Sequence, residues 1–451
     1  MMKQERDSID FGSMNIPALF VRLFIPTLLG LIFGAVLNLA DGMFVGKGVG
    51  SEALAAVNIG APVFLFCTGL SLMFGSGVSV VASIHMSHGN TKAANINVTQ
   101  AFTVSFLMMS FLSALVFLWP ETTGRLFGGS DKLMPLVVNY LQGVVPGLPG
   151  LLLMVIGLFV IRLDGSPTIA MLIQGVASVL NIFLDWLFVY PLQLGISGAA
   201  WATSISGWIG GLLVIGYMFF FAKRIYFYMP KFSRTALRLT ARNIGYMGKL
   251  GLSTFISELG ISVMMVVGNY MFMREMQEDG VAAFCIVCYL FPLVLMFGNA
   301  IAQSALPIVS YNHGQGNSER VRAAFRLSVM SALLGGVVIS AVVVICAPFL
   351  VSVFLRSTEP AWQIAVDGLP YYATGITFFT LNIVLIGYEQ SREWARRAIG
   401  HMLLRGLVLV VPIFILLPAL FGKLGLWLAV PLSELLTTLI IVFQVVRNKQ
   451  Q

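Results

Sequence analysis

The chain has 451 residues, 58% of them hydrophobic and only 10% charged, with a formal net charge of +8. Soluble domains carry about 25% charged residues, so the composition excludes a water-soluble globular protein and indicates an integral membrane protein. The positive balance is not a nucleic-acid signal, because excess Lys and Arg in a membrane protein gathers in cytoplasmic loops.

Residues 1–14 are polar, and no short apolar region with a cleavage site precedes the first long apolar run, so no removable signal is expected. Apolar runs then follow at 16–45, 53–83, 97–119, 133–160, 168–190, 197–221, 247–270, 281–309, 325–355, 368–388, 398–420 and 424–446. Each is continuous rather than alternating and near the roughly 20 residues that cross a bilayer, so helices are predicted and a barrel is not. The fold class is all-α, integral membrane, with twelve transmembrane helices.

The first run, GAVLNLADGMFVG, carries Asp41 with Asn38 one turn earlier on the same face, and Gly30 and Gly34 continue that face towards Pro26. Pro26 removes a backbone donor and is expected to bend this span. In the fifth run, Gln174, Ser178, Asn181 and Asp185 fall at spacings that put all four on one helix face. A carboxylate facing lipid costs roughly 2.5–3.5 kcal/mol on insertion scales, so this stripe should face protein or a wet cavity. Trp201, Thr203, Ser204 and Ser206 add polar groups on the sixth run. Two carboxylates with Asn and Thr oxygens nearby suit a hard monovalent cation, and equally suit one shared proton.

Residues 222–249 hold Lys223, Arg224, Lys231, Arg234, Arg238, Arg242 and Lys249 and no acid, which places this segment in the cytoplasm. With twelve spans both termini are then cytoplasmic, and Lys and Arg divide fifteen to six in favour of the inner loops. Motifs recur across that basic stretch. LMFG at 72–75 returns at 295–298, SHGNTKAAN at 87–95 resembles NHGQGNSERV at 312–321, SEALAA at 51–56 resembles EDGVAA at 278–283, and LGISGAAWATS at 194–204 parallels LGLWLAVPLSE at 424–434. All four recur in the same order and at a near-constant interval. Duplication is predicted: an N-terminal six-helix lobe (1–221), a basic cytoplasmic linker (222–246) and a parallel C-terminal six-helix lobe (247–451), related by a pseudo-two-fold axis along the membrane normal with a cleft between them.

The second half offers Glu258, with Thr254 one turn before it, and Glu434, with Thr438 one turn after it. Intramembrane carboxylates are functional candidates, although a packing role is open for both, and Arg405 is a natural ion-pair partner for Glu434. Asp367 and Glu389, which bracket the tenth run, read as interfacial. Cys285 and Cys288 form a CxxC inside an apolar run and read as small core residues. No phosphate-binding loop, zinc signature or nucleophile elbow is present, so neither catalysis nor ATP hydrolysis is expected.

The stretches IPTLLGLIFGAVLNLADGMFVGKGVG, LMFGSGVSVVASIHMSHGN and NIFLDWLFVYPLQLGISGAAWATSIS resemble the multidrug and toxic compound extrusion (MATE) family, closest to its prokaryotic branches. The resemblance implies a secondary antiporter, with no cofactor, that expels lipophilic, often cationic small-molecule drugs in exchange for Na+ or H+. Its expected setting is the plasma (inner) membrane of a bacterium or archaeon, as a monomer among lipids with no nucleic-acid partner. The resemblance assigns cation or proton coupling, including Na+ binding, to Asp41, Asn181, Asp185 and Thr203. Tyr140 and Gln174 are carried over to the cavity, which Asn38 and Ser178 would also line, and the Pro26 bend would respond to the ion. A branch that couples through the C lobe uses an acid like Glu258 with another in the tenth span. Here 371–388 contains no acid, which favours the N lobe, with Glu258 and Glu434 secondary. The usual Pro after the fifth-span Asp is Trp186. The alternative is a flippase for lipid-linked saccharides, which shares the architecture and would need a cationic cavity.

Overall fold

The computed structural model describes residues 9–127, 131–228, 233–355 and 357–447, with no strand among them. The polar start 1–8, residues 229–232 with Lys231, Arg356 and the side chains of Asn38 and Lys47 lie outside the described residues. Among the described residues eleven helices are long and apolar enough to cross a membrane, and a pair bent by 44° makes a twelfth if it is one span. The chain is a multi-pass helical membrane protein.

By its contacts the chain divides into two compact units, Met1–Phe255 with Ser310–Ser318, and Ile256–Val309 with Glu319–Gln451. The first holds α1 (Ile16–Gly48), α2 (Ser51–Ser87), α3 (Thr91–Leu118), α4 (Pro120–Leu126), α5 (Met134–Val144), α6 (Leu148–Leu163), α7 (Pro167–Val189) and α8 (Gly195–Phe220). Here α1 packs along α7, α7 along α8, and α6 against α2 and α8. The next helix, α9 (Arg234–Gly314), runs through a break at Gln277 (φ 57°, ψ −149°) that separates two spans. It starts inside the basic stretch, well before the apolar run that opens at 247, because Ser233 caps it by accepting the Ala236 N–H.

The start of α9 is bound to the first unit. Gln100 donates to Thr240, Asn243 donates to Gln100, and Ser76 shares a hydrogen bond with Thr254. A methyl group at Gly251 would stand 1.8 Å from the Met73 carbonyl oxygen, so only glycine allows this approach.

The second unit completes the chain with α10 (Ser318–Ile345), α11 (Ala347–Ser352), α12 (Pro360–Ala373), α13 (Ile376–Ser391), α14 (Ala395–Leu403), a π-turn over Leu404–Leu409, α15 (Val410–Phe421) and α16 (Lys423–Arg447). Its core is aromatic: Phe272 stacks on Phe284 at 4.7 Å and meets Trp427 edge-on at 5.1 Å. The helix of the ninth run, expected over 325–355, ends at Ile345; Pro348 is the second residue of the short α11, as Pro120 is the first of α4.

Both units break the same span at the same place. Between α5 and α6, Pro146 and Pro149 remove N–H donors and the chain tightens to a 3-10 turn at Val145–Gly147. The freed carbonyls are met from α8: Ser204 donates to those of Gly143 and Val144, and Trp208 to that of Pro146. Between α12 and α13 the break falls at Thr374–Gly375, where Ser340 of α10 donates to the Ala373 carbonyl. Gly147 abuts the Cα of Ser204 and Gly375 that of Pro431. The two pairs are one packing contact, repeated at the interval that the sequence motifs keep.

Candidate functional site

The predicted stripe on α7 is real and faces inward. Ser178, Asn181 and Asp185 are buried, the last two at 0% exposure, and Gln174 is half-buried. The other side carries Phe183, Trp186 and Tyr190, all more than 40% exposed. The stripe lies under α1, which packs along α7; a methyl added at Gly30 or Gly34 would come within 3.7–3.9 Å of Met171 and Gln174, ordinary contact distance. Gln174 donates to Ser178 at 3.4 Å. Pro26 lies inside α1, which is helical on both sides of it.

Asn181 is the hub. Oriented by its neighbours, its amide nitrogen donates to Asp185 Oδ2 at 3.0 Å and its oxygen accepts the Thr203 backbone N–H at 3.1 Å. Turned the other way, the nitrogen faces the Thr203 hydroxyl at 3.4 Å. The second Asp185 oxygen, Oδ1, is buried with no hydrogen-bond partner among the described residues. Asp41 on α1 is half-buried and within electrostatic range of Asp185, and the buried Tyr140 lies within that range of both. Tyr140 is held in place by α2, where Gly60 leaves room for the ring. Asp41, Tyr140, Asn181, Asp185 and Thr203 thus gather from α1, α5, α7 and α8; the Asn38 side chain lies outside the described residues.

The second-half acids divide. Glu258 is half-buried on α9 and falls in the second unit, whereas Thr254 pairs with Ser76 in the first. Glu434 is an ion-pair partner: Arg405 Nε donates to Oε1 at 2.8 Å and Oε2 at 2.9 Å, and Asn382 Nδ2 donates to Oε2 at 2.7 Å. Thr438 donates to Asn382 Oδ1 at 2.9 Å, closing a buried network.

Three groups escaped the sequence reading. Asn382 sits in an apolar run with no partner nearby in sequence. Glu389, read as interfacial, is buried and meets His401 Nδ1 at 2.7 Å, whose Nε2 faces Gln444 at 2.9 Å. Asp164 accepts the backbone N–H groups of Lys223, Arg224 and Ile225 and the Tyr217 hydroxyl, all at 2.7–2.9 Å. A polar residue within a long apolar run was the available signal for the first; the other two sit at helix ends, where polar residues are ordinary.

These features define a class: a duplicated, multi-pass helical membrane protein with a buried acidic cluster inside one repeat, the plan of a membrane transporter. The MatE family profile matches twice, over residues 26–187 and 254–416, and the chain belongs to that family of transporters. Among curated relatives, the FAD transporter of Shewanella oneidensis is 26% identical over 433 residues, covering 94% of this chain and 93% of its own. The multidrug export protein MepA of Staphylococcus saprophyticus is 24% identical over 448 residues, covering 96% and 93%. Among solved structures, a multidrug resistance MATE family transporter in an outward-facing conformation matches with TM-score 0.91 at 21% identity over the whole of both chains. A MOP superfamily transporter from Pyrococcus furiosus, described as having a binding pocket of reversed polarity, matches with TM-score 0.87 at 21% identity over 98% of both.

Proposed function

We propose that this transporter is a secondary antiporter that exports lipophilic, often cationic compounds in exchange for Na+ or H+ by alternating access. The observation that carries the reading is Asp185, a fully buried carboxylate in a membrane span, with Asp41 in electrostatic range and one oxygen unpartnered among the described residues. Two like charges within electrostatic range favour uptake of a cation or proton, and neutralising them lowers the cost of repacking the helices around them, so ion binding biases the conformational equilibrium. Asp41, Asn181, Asp185 and Thr203 are oxygen donors that suit Na+ as a hard cation. The Asn181 amide separates the two ions: Na+ calls for its oxygen turned towards Asp185, a proton does not.

Tyr140, Gln174, Ser178 and Asn38 would line the substrate path, and the relatives named multidrug export proteins support a small-molecule cargo. The FAD transporter relative favours, as a second reading, an aromatic anion. The acidic cluster argues against a lipid-linked saccharide with its pyrophosphate. We further infer two cytoplasmic termini, from the loop charges, and a monomer in the plasma membrane.

The test is ethidium efflux from proteoliposomes, driven by a Na+ gradient and separately by a proton gradient, with the parent, Asp41→Asn and Asp185→Asn. One gradient should drive the parent and neither variant; normal efflux in both variants would sink the proposal.

A further inference from the structure

We propose that the second unit holds a carboxylate-binding site at Arg405, which takes lipophilic compounds through a carboxylate headgroup. Arg405 is 6% exposed and carries five N–H donors. Only Nε is used on Glu434. Nη1 has nothing better than the Met402 sulfur at 3.9 Å, and among the described residues neither terminal nitrogen reaches an oxygen. Four N–H bonds of a buried guanidinium are therefore left to whatever occupies the space beside them, and buried charged donors are not left empty without cost.

That space exists. A cavity of about 30 Å3 opens between Arg405, Glu434, Phe379, Met402, Met264 and Phe291, and apart from Ser257 the rest of its wall is apolar. It has room for about two waters, or for the two oxygens of a carboxylate, which the terminal fork of a guanidinium binds side by side. Glu434 also borders this cavity, but its oxygens are already taken, both by Nε, and Oε2 by Asn382 as well, and neither bonds the terminal fork. Phe379 supports the guanidinium face at 4.2 Å, and the π-turn over Leu404–Leu409 sets Arg405 out of regular helical register. The body of a larger ligand needs the surrounding wall to open, and Met264 and Met402 on that wall are the unbranched side chains that repack most readily. The interval that relates Ser204 to Pro431 also relates Ser178 to Arg405, so the repeat that carries an acidic cluster in the first unit carries a cation in the second.

The inference rests on the transporter reading but not on the coupling cluster, and its test needs no gradient. Parent protein in nanodiscs is titrated by calorimetry with 2-naphthoate, its uncharged amide 2-naphthamide, and acetate. The expected result is saturable binding of 2-naphthoate at least tenfold tighter than of the other two. Arg405→Lys, which keeps the charge and loses the fork, should weaken 2-naphthoate at least tenfold and leave 2-naphthamide unchanged within twofold. The double variant Arg405→Met with Glu434→Met, which removes the pair without leaving a lone charge, should abolish the difference between the two naphthalenes while keeping the thermal unfolding midpoint. Equal binding of 2-naphthoate and 2-naphthamide by the parent overturns the site; this is the outcome if the cavity holds water alone. So does 2-naphthoate binding that survives the double variant, or acetate that binds as tightly as 2-naphthoate. Failed ethidium efflux beside selective 2-naphthoate binding would remove the coupling reading and leave this site standing.

Discussion

Asn181 holds Asp185 from one turn back on α7, nitrogen to carboxylate oxygen at 3.0 Å, while its own oxygen takes the Thr203 N–H from α8. The remaining Asp185 oxygen is unpartnered among the described residues, so this amide donor carries much of the carboxylate's stabilisation. Asn181→Leu keeps the volume and removes the donor. A buried acceptor stripped of its donor costs about 1–3 kcal/mol, so the variant should unfold at a lower temperature. Gradient-driven efflux, normalised to protein level, should fall several-fold further. Parental efflux from Asn181→Leu would show that the bond serves packing alone.

Asp164 ties the end of α6 to the start of the basic linker through three consecutive backbone N–H groups and one hydroxyl. Backbone donors are met whatever side chains the linker carries. Asp164→Asn is nearly isosteric, but it turns an acceptor into a donor that faces other donors. Hydrogen bonds to a charged group contribute about 1.5–3 kcal/mol each, so the linker should detach before the helices unfold. Limited trypsin digestion should then cleave after Lys223 and Arg224 several times faster than in the parent. An unchanged cleavage rate would mean that the clamp is not what holds this segment.

Gly77 and Gly251 let α2 and the start of α9 touch backbone to backbone: an added methyl would lie 2.1 Å from the Met247 carbonyl oxygen in one case and 1.8 Å from that of Met73 in the other. Backbone cannot swing aside as a side chain does. Either Gly→Ala change should therefore destabilise by about 1–3 kcal/mol or more, the range for overpacking. Gly216 and Gly245, helical and with nothing within 4 Å, are the controls. There Ala should be neutral or slightly stabilising, since it exceeds Gly in helix propensity by up to about 1 kcal/mol. Thermal unfolding of the four variants checks the contrast, which fails if all four shift alike.

What the sequence made legible was what repeats along one helix or across the duplication. Gln174, Ser178, Asn181 and Asp185 announced their shared face because the pitch of a helix is fixed, and the recurrent motifs foretold two similar halves. Helix α9 begins before the apolar run at 247 and α10 ends before 355, because hydropathy sees neither a Ser233 cap nor a proline in the first turn of a new helix after Ile345. Asp164 was invisible because its partners are backbone groups 59–61 residues downstream, which carry no sequence signature. His401, Glu389 and Gln444 meet across intervals of 12 and 43 residues, which no single-helix periodicity links. The duplication also hides a divergence. At the interval that relates Ser204 to Pro431, the counterparts of Asn181 and Asp185 are Val408 and Pro412, so the second unit kept the scaffold without the acidic pair.

Outside the membrane, Asp10 gives a pH dependence whose sign can be worked out. Ser13 donates to its side chain at 2.6 Å and the Gly12 N–H at 2.9 Å, and these bonds hold its carboxyl below the ordinary value of 3.8. A carboxylate with a lowered folded-state value adds stability above its unfolded value, and that stability is lost as pH falls through the lowered one. The turn before α1 should therefore keep its amide protection at neutral pH and lose it below 3.8. Asp10→Asn should lack the transition. Hydrogen exchange of the 9–15 peptide across this range is the measurement; a parental profile in Asp10→Asn would assign the protection to Phe11, whose carbonyl accepts from Asn312.

Arg405 and Glu434 separate the two roles a buried ion pair can have. Removing one partner leaves an uncompensated charge and costs about 3–5 kcal/mol, whereas replacing both with apolar residues of similar volume is often neutral or stabilising. Glu434→Gln should therefore lower the thermal unfolding midpoint sharply, since Asn382 would still be satisfied in part but the guanidinium would lose its counter-charge. The double Arg405→Met, Glu434→Met variant should unfold near the parental midpoint. If the double variant is as unstable as the single one, the pair is a structural tie that the Asn382–Thr438 network requires. If it is stable, packing gives no reason for the arginine, and a ligand for its free edge becomes the reason that remains.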